Sequence, residues 1–305
     1  MSVVSAIVCT RNRAIPVVRA VRSLLDETSA DLEVIVMDQS DGPETERALS
    51  ALAGDARVRY HRSKTRGKGA ALNEGLALAR GDIVVCTDDD CEVPPGWVLA
   101  MAALLDAQPT AAIAFCNVNP VPHDPSLGYV PAYQRTVSRL LRSVTELRNG
   151  LALGAAMALR RDFARSIGGF DESFGPGARF PSADEWDLCI RALVSGRHVY
   201  ESADLSILHD GFRTLEEGKV HARRDWVALG AVAAKPIKAG HLQAAIIPLW
   251  FFPVRALWPP VSDLLHLKRP RGLARIAAFV RGFADGFRTP VEHDTLRFSR
   301  PPSDR

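Results

Sequence analysis

Three carboxylates in a row, Asp88-Asp89-Asp90, follow directly on the apolar run 83–87. Adjacent carboxylates repel one another, so a chain that needed only solubility would scatter them. In extended backbone the side chains of Asp88 and Asp90 fall on one side and that of Asp89 on the other. The i, i+2 pair can therefore share one divalent cation. Hard oxygen donors suit Mg²⁺ or Mn²⁺, ions that keep positions open for water and for phosphate oxygens. A solvated turn or a helix cap is the competing reading, and the place of the triplet at the end of an apolar strand weighs against it.

Such a triplet has to be held by a sheet, and the first 120 residues have the right pattern for one. Short β-rich runs alternate with helical stretches, the sequence form of βαβ units around a largely parallel sheet. Strands are predicted over 3–9, 32–37, 58–61 and 83–87, and helices near 17–25, 44–52 and 70–79. Pro43 suits a first helical turn and Gly81 a helix end. Right-handed crossovers place the loops after the strand ends on one edge, where ligands bind, and Asp38 and the acidic triplet stand at two of those ends. Further on come a helix through Leu105, an apolar run 111–118, a proline-broken loop 119–131, a strand over 151–159 and a break at Gly168-Gly169. A helix over 184–194, a strand over 199–208 ending at His209 and a helix over 214–234 follow. No internal repeat is visible.

Several segments, taken in order, resemble the family 2 glycosyltransferases, nucleotide-sugar-dependent enzymes of GT-A fold. They are Ile7-Val8-Cys9-Thr10-Arg11-Asn12-Arg13, Val34-Ile35-Val36-Met37-Asp38-Gln39-Ser40 and Gly67-Lys68-Gly69-Ala70-Ala71-Leu72-Asn73-Glu74-Gly75, then the strand that ends in Asp88-Asp89-Asp90. Gly168-Gly169-Phe170-Asp171-Glu172 and Asp184-Glu185-Trp186-Asp187-Leu188 complete the set, which runs from about residue 3 to 210. The fold it implies is α/β of GT-A type: a Rossmann-like, mixed, mostly parallel sheet flanked by helices, with a C-terminal helical appendage. A catalytic domain is expected over 1–212, a helical, aromatic and basic region over 213–290 and a flexible tail over 291–305.

The resemblance also implies site residues. Thr10, Arg11, Arg13, Asp38, Lys68, Asn73, Asp88 and Asp89 would bind the nucleotide sugar, with Arg11 against the base, Asp38 accepting from a base or ribose donor and Lys68 facing the diphosphate. Asp88, Asp90 and His209 would hold Mg²⁺ or Mn²⁺. Trp186, Gly169 and Phe170 would face the acceptor. The family usually carries Glu-Asp at the start of the catalytic helix, with the Asp as base; here the order is Asp184-Glu185. Matching by position selects Glu185 and matching by residue type selects Asp184. Bland alternatives stand beside these roles: acidic residues in a first helical turn also favour the helix dipole, Lys68 also belongs to a basic stretch, and His209 also suits a strand end.

The reaction implied is inverting transfer of a sugar from a nucleoside diphosphate to an acceptor hydroxyl, in cell-surface glycan or glycolipid synthesis. A nucleotidyltransferase or a non-catalytic sugar-nucleotide-binding subunit are the alternatives. A formal net charge of +3 is too balanced to suggest a nucleic-acid partner. Acidic side chains outnumber basic ones up to residue 210, and beyond it basic outnumber acidic two to one. The apolar stretch 242–267 carries Trp250, Phe251, Phe252 and Trp258 but also Pro248, Pro253, Pro259 and Pro260. A single spanning helix is therefore not expected. Aromatic residues followed by Lys268-Arg269-Pro270-Arg271 suit the surface of an anionic membrane, or a subunit interface. Cys9, Cys86, Cys91, Cys116 and Cys189 form no CxxC pair and read as reduced, buried thiols. The start of the chain lacks the pattern of a secretory signal, so a cytoplasmic place, peripheral at the inner face of the membrane, is expected.

Overall fold

In a computed structural model of the protein, which describes residues 3–27 and 31–299, the N-terminal third is built as the alternation predicts. β1 (Val4–Thr10), α1 (Ala14–Leu25), β2 (Leu32–Asp38), α2 (Glu44–Leu49), β3 (Val58–Arg62), α3 (Lys68–Leu78) and β4 (Ile83–Asp88) succeed one another as βαβ units. Then come β5 (Cys91–Glu92), α4 (Trp97–Ala107), β6 (Ala111–Pro120), β7 (Gly128–Tyr129), β8 (Arg139–Leu141) and β9 (Ala156–Arg160). α5 (Arg161–Ser166), α6 (Asp184–Val194), β10 (His198–His209), β11 (Arg213–Thr214), α7 (Leu215–Lys238), α8 (Trp258–Leu265) and α9 (Leu273–Arg288) complete the chain.

The main sheet runs β3-β2-β1-β4-β9-β6-β10-β5, with β8 added on β10, and β7 pairs with β11 in a small ribbon. β1 is parallel to β2 and β4, and β6 is parallel to β10. β9 runs antiparallel to both of its neighbours, β4 and β6. Two reversals restore the direction, so β1, β2, β4, β6 and β10 all point the same way. Thr10, Asp38, Asp88 and His209, the last residues of four of them, are thereby delivered to one edge.

Alternation along the strands feeds a core on each face. Ile7, Ile35 and Cys86 point into one with α3, α6 and α7. Val8, Val36 and Val85 point into the other with α1 and α4. The first core continues without interruption through Trp226, Phe251 and Phe279 to Phe298, so the residues expected to form an appendage share it with the sheet. α7 and α9 approach backbone to backbone: a Cβ on Gly282 would lie 1.8 Å from the Val227 carbonyl oxygen.

Two expectations about the C-terminal region need correction. The prolines do not break the stretch 242–267: the chain stays helical from Leu242 to Leu265, through a 3₁₀ turn, two wide π turns and α8. Pro248 and Pro253 fall in the first two positions of those π turns, where a missing N–H costs least. The tail, expected to be flexible from residue 291, instead packs on the catalytic region as far as it is described. Phe298 is buried, its N–H donates to Asp171 Oδ2 at 2.7 Å, and Arg297 donates to the Gly168 carbonyl at 2.6 Å. Residues 300–305 of that tail lie outside the described residues.

What holds these parts together is a buried ion network. Lys235 of α7, 2% exposed, reaches Asp171 Oδ2 at 2.6 Å and also pairs with Asp187 of α6. Its ammonium lies 4.9 Å and 5.0 Å from the ring centroids of Phe174 and Phe298. Arg191 pairs with Asp187 at 2.8 Å and donates to the carbonyls of Ile167 and Gly169. Burial would raise the Asp171 carboxyl, but the charge and hydrogen bond of Lys235 outweigh it and hold it below the ordinary range. Lys235→Met, which strands the buried Asp171 carboxylate and leaves Asp187 with Arg191 alone, is expected to cost about 3–5 kcal/mol in urea unfolding, with part recovered in the double variant Lys235→Met/Asp171→Asn.

Candidate functional site

The acidic triplet is where the sequence places it: Asp88 has a partner of its own, and Asp89 and Asp90 share Arg13. Asp88, at the end of β4, pairs with Lys68 at the start of α3. Asp89 accepts from Thr10 Oγ1 at 2.7 Å and from Arg13 Nη1 at 2.6 Å. Asp90 accepts from Arg13 Nη2 at 3.0 Å and lies 3.5 Å from His209 Nε2. The β5–β10 pairing sets Cys91 opposite His209, which explains how a residue 119 positions along the chain meets Asp90.

Electrostatics follow from this crowding. Burial, only partly offset by Arg13 and Thr10 and reinforced by Asp90 and Asp88, lifts the Asp89 carboxyl to about 6. Burial would raise Asp90 too, but the hydrogen bond and charge of His209, together with Arg13, hold it well below the ordinary range. Burial would lower the His209 imidazolium, yet Asp90 and the Pro131 carbonyl raise it. Desolvation likewise works against the Lys68 ammonium, and the charges of Asp88 and Asp184 overcome it. Lys68 is thus the link between the triplet and the start of α6.

On α6, Asp184 is buried and Glu185 is partly buried beside Gly154, whose added Cβ would lie 3.4 Å from Glu185 Cβ. Burial first, and the Asp184 charge second, raise the Glu185 carboxyl well above the ordinary range. Trp186 packs its ring 5.2 Å from that of Phe251 and lines a cavity of about 570 Å³ next to the pair.

Asp90 and His209 fit a divalent cation. Nδ1 of His209 is 2.8 Å from the Pro131 carbonyl, which fixes the ring with Nε2 toward Asp90, the outer-sphere hydrogen bond typical of a metal-bound histidine. A Cβ on Gly211 would lie 2.5 Å from His209 Nε2 and 3.1 Å from Asp90 Oδ2, so the absence of a side chain there leaves room over the pair. Cys91 is the third potential donor of this cluster, and burial raises its thiol well above the ordinary range. Asp88, expected as a ligand, stands outside the cluster, held by Lys68.

A family model described as glycosyl transferase family 2 matches residues 5–167, more than half of the chain. The chain belongs to that family. The pre-mycofactocin glycosyltransferase of Mycobacterium tuberculosis is 26% identical to it over 245 residues, covering 78% of this chain and 48% of that protein. The GalNAc(5)-diNAcBac-PP-undecaprenol beta-1,3-glucosyltransferase of Campylobacter jejuni is 32% identical over 99 residues, 32% of each protein. This chain spans about half the length of the first of these relatives and a third of the second. Mannosyltransferase PcManGT from Pyrobaculum calidifontis, in complex with GDP-Man and Mn²⁺, superposes with a TM-score of 0.64 at 20% identity over 92% of this chain and 87% of that one. TarS of S. aureus in complex with UDP-GlcNAc gives 0.61 at 14% identity, over 94% and 80%. The fold is GT-A, as the motifs imply.

Within this family 2 chain, several expected ligand contacts are occupied by the protein itself. Asn73 clamps the Phe170 backbone, with Nδ2 donating to its carbonyl at 3.0 Å and Oδ1 accepting from its N–H at 2.7 Å. Gly169 is the turn that allows this: φ is +73°, and a Cβ would lie 2.3 Å from Asn73 Oδ1. Phe170 is buried in the core and faces no acceptor space. Asp38 is fully buried, accepting from Ser40 N–H at 2.7 Å, Tyr60 O–H at 2.8 Å and Arg62 at 3.3 Å, so it shapes the loop after β2. Arg11 is exposed at the rim beside Asp41, and Thr10 is spent on Asp89. Gly211 was missed because Asp210-Gly211 reads as a turn; only pairing of β5 with β10 reveals what it faces.

Gly211→Ala is expected to abolish Mn²⁺ binding in calorimetric titration while leaving the far-ultraviolet circular dichroism spectrum unchanged. Retained affinity would show that the cation does not need the space left open over the pair.

Proposed function

We propose that this protein catalyses inverting transfer of a sugar from a nucleoside diphosphate to an acceptor hydroxyl, in the synthesis of a cell-surface glycan or glycolipid. The observation that carries this reading is the convergence on one sheet edge of Asp90 with His209, Lys68 with Asp88, and the raised Glu185 beside Asp184. A divalent cation held by Asp90 and His209 would neutralise the donor phosphates, and an imidazole donor favours Mn²⁺ over Mg²⁺. Lys68 adds a fixed positive charge on the leaving-group side, and Arg11, exposed at the rim beside Asp41, can lie against a base. Asp88, held by Lys68, faces the donor sugar. Glu185 takes the acceptor proton; its raised affinity for that proton is what a base working near neutral pH requires. Asp184 supports that affinity through its charge. Inversion follows from a single displacement with base and leaving group on opposite sides of the sugar.

The helical stretch 242–265 is proposed to lie along the inner face of a membrane. By length and composition it could cross one. Its inner face, with Ala244, Ile247, Phe251 and Ala256, is buried in the protein, whereas a spanning helix would be wrapped by lipid. Its outer face exposes Leu249, Trp250, Val254, Trp258, Val261 and Leu265, and Lys268 and Arg269 follow. The names of relatives in succinoglycan biosynthesis and in undecaprenol-linked glucosyl transfer agree with an acceptor at such a surface.

Incubation with a panel of nucleoside-diphosphate sugars and Mn²⁺ is expected to release nucleoside diphosphate; release of pyrophosphate would mark attack at phosphorus instead. Glu185→Gln is expected to lower turnover by about 10²–10⁴-fold. A raised carboxyl is ionised only above its folded pKa, so wild-type turnover should fall with decreasing pH at a higher pH than for a free carboxylate. The same sign means that stability is lost as pH rises from the unfolded to the folded pKa. Glu185→Gln should therefore hold or raise Tm at pH 8, measured by differential scanning fluorimetry.

A further inference from the structure

The cavity beside Trp186 opens between three parts of the chain that have no common sequence signature. Trp186 of α6, Trp226 of α7 and Phe251 and Val254 of the 242–265 stretch form its apolar wall. Gly150 and Leu151 form the side nearest the sheet, and Arg255 and Arg275 bring two guanidinium groups to it. Neither arginine has a carboxylate partner among the described residues, whereas Arg13, Arg19, Arg57, Arg59 and Arg191 all do.

The cavity and the proposed base share two walls. Trp186 directly follows Glu185, and the loop that lines the cavity at Gly150 and Leu151 packs Gly154 on Glu185. Glu201 holds this loop in place: it is buried, accepts from the Ala152 N–H at 3.0 Å and pairs with Arg139, which donates to the Gly150 carbonyl at 2.7 Å. On its other side the cavity runs out onto the exposed apolar stripe of Trp250, Val254 and Trp258.

We infer that this cavity is the acceptor site and that Arg255 and Arg275 bind a phosphate or diphosphate carried by the acceptor next to a long apolar chain. The inference rests on the sugar-transfer reading for the identity of the ligand as acceptor, and on the cavity alone for its chemistry. Two unpaired guanidinium groups are suited to bidentate contacts with phosphate oxygens. The aromatic wall takes the first segment of the chain, the exposed stripe leads the rest into lipid, and a volume of about 570 Å³ holds the head and not the tail. A phosphate-free sugar would leave both arginines unused, and a bare phosphate would leave the aromatic wall dry and empty.

The full chain is titrated with farnesyl diphosphate, and binding is read from tryptophan fluorescence. Farnesol, inorganic pyrophosphate and dihexanoyl phosphatidylglycerol are the comparison ligands. Farnesyl diphosphate is expected to bind at least about tenfold more tightly than each of the three, and Arg255→Gln/Arg275→Gln to bring it down to the level of farnesol. Arg255→Lys/Arg275→Lys, which keeps both charges but loses the forked donors, should bind with an affinity between those of the wild type and the Gln variant. Equal affinity for farnesol, equal affinity for pyrophosphate, an equal response to the phospholipid, or wild-type binding by the Gln variant would each overturn the inference. Nucleoside diphosphate with Mn²⁺ is tested in parallel by thermal shift. Loss of that shift with prenyl diphosphate binding intact would strike the transferase reading and not the phosphate site.

Discussion

Carboxylates gathered at one edge of a sheet have to be answered by positive charge, and this constraint organises the site. Asp88, Asp89, Asp90, Asp184 and Glu185 are brought together by strand direction and by the start of one helix. Each is answered differently: Asp88 by Lys68, Asp89 by Arg13 and Thr10, Asp90 by Arg13 and His209. Glu185 receives the least: burial first, and the Asp184 charge second, raise its carboxyl well above the ordinary range.

The helix that carries Asp184 and Glu185 is positioned from behind. Asp187, one turn in from the cleft, is held by Arg191 and by Lys235 from α7, and Lys235 in turn holds Asp171, which receives the N–H of Phe298. Four formal charges cancel in this buried group, and the aromatic rings of Phe174 and Phe298 flank the ammonium. Such networks contribute more to a unique arrangement than to net stability. Here the arrangement is the angle at which α6 presents Asp184 and Glu185, and three segments separated in sequence must all be in place to set it.

The C-terminal helices thereby do two things with two faces. Their inner face completes the core behind α6, through backbone contact of α7 with α9 and the aromatic cluster of Trp226, Phe251, Phe252 and Phe279. Their outer face carries the exposed tryptophans and the basic excess. The cavity lies where the two meet, which is why it is bounded by Trp186 on one side and by unpaired arginines on the other.

The sequence by itself determined the βαβ start, the acidic triplet at the end of β4, the helix that starts at 184 and, through the order of its motifs, the GT-A fold. These are local patterns: apolar periodicity, turn chemistry and residue spacing survive without long-range contacts. Tertiary structure alone decided which side chains the protein keeps for itself. Asn73, Gly169, Phe170 and Asp38 carry the motif, yet their polar groups and surfaces are taken up inside the fold. It also decided that Gly211 lies over His209 and Asp90, that Asp88 belongs with Lys68, and that prolines at 248 and 253 sit in wide turns and not at breaks. Each depends on which elements, distant along the chain, come to lie side by side, and a strand buried on both faces reads as a continuous apolar run that does not name its partner.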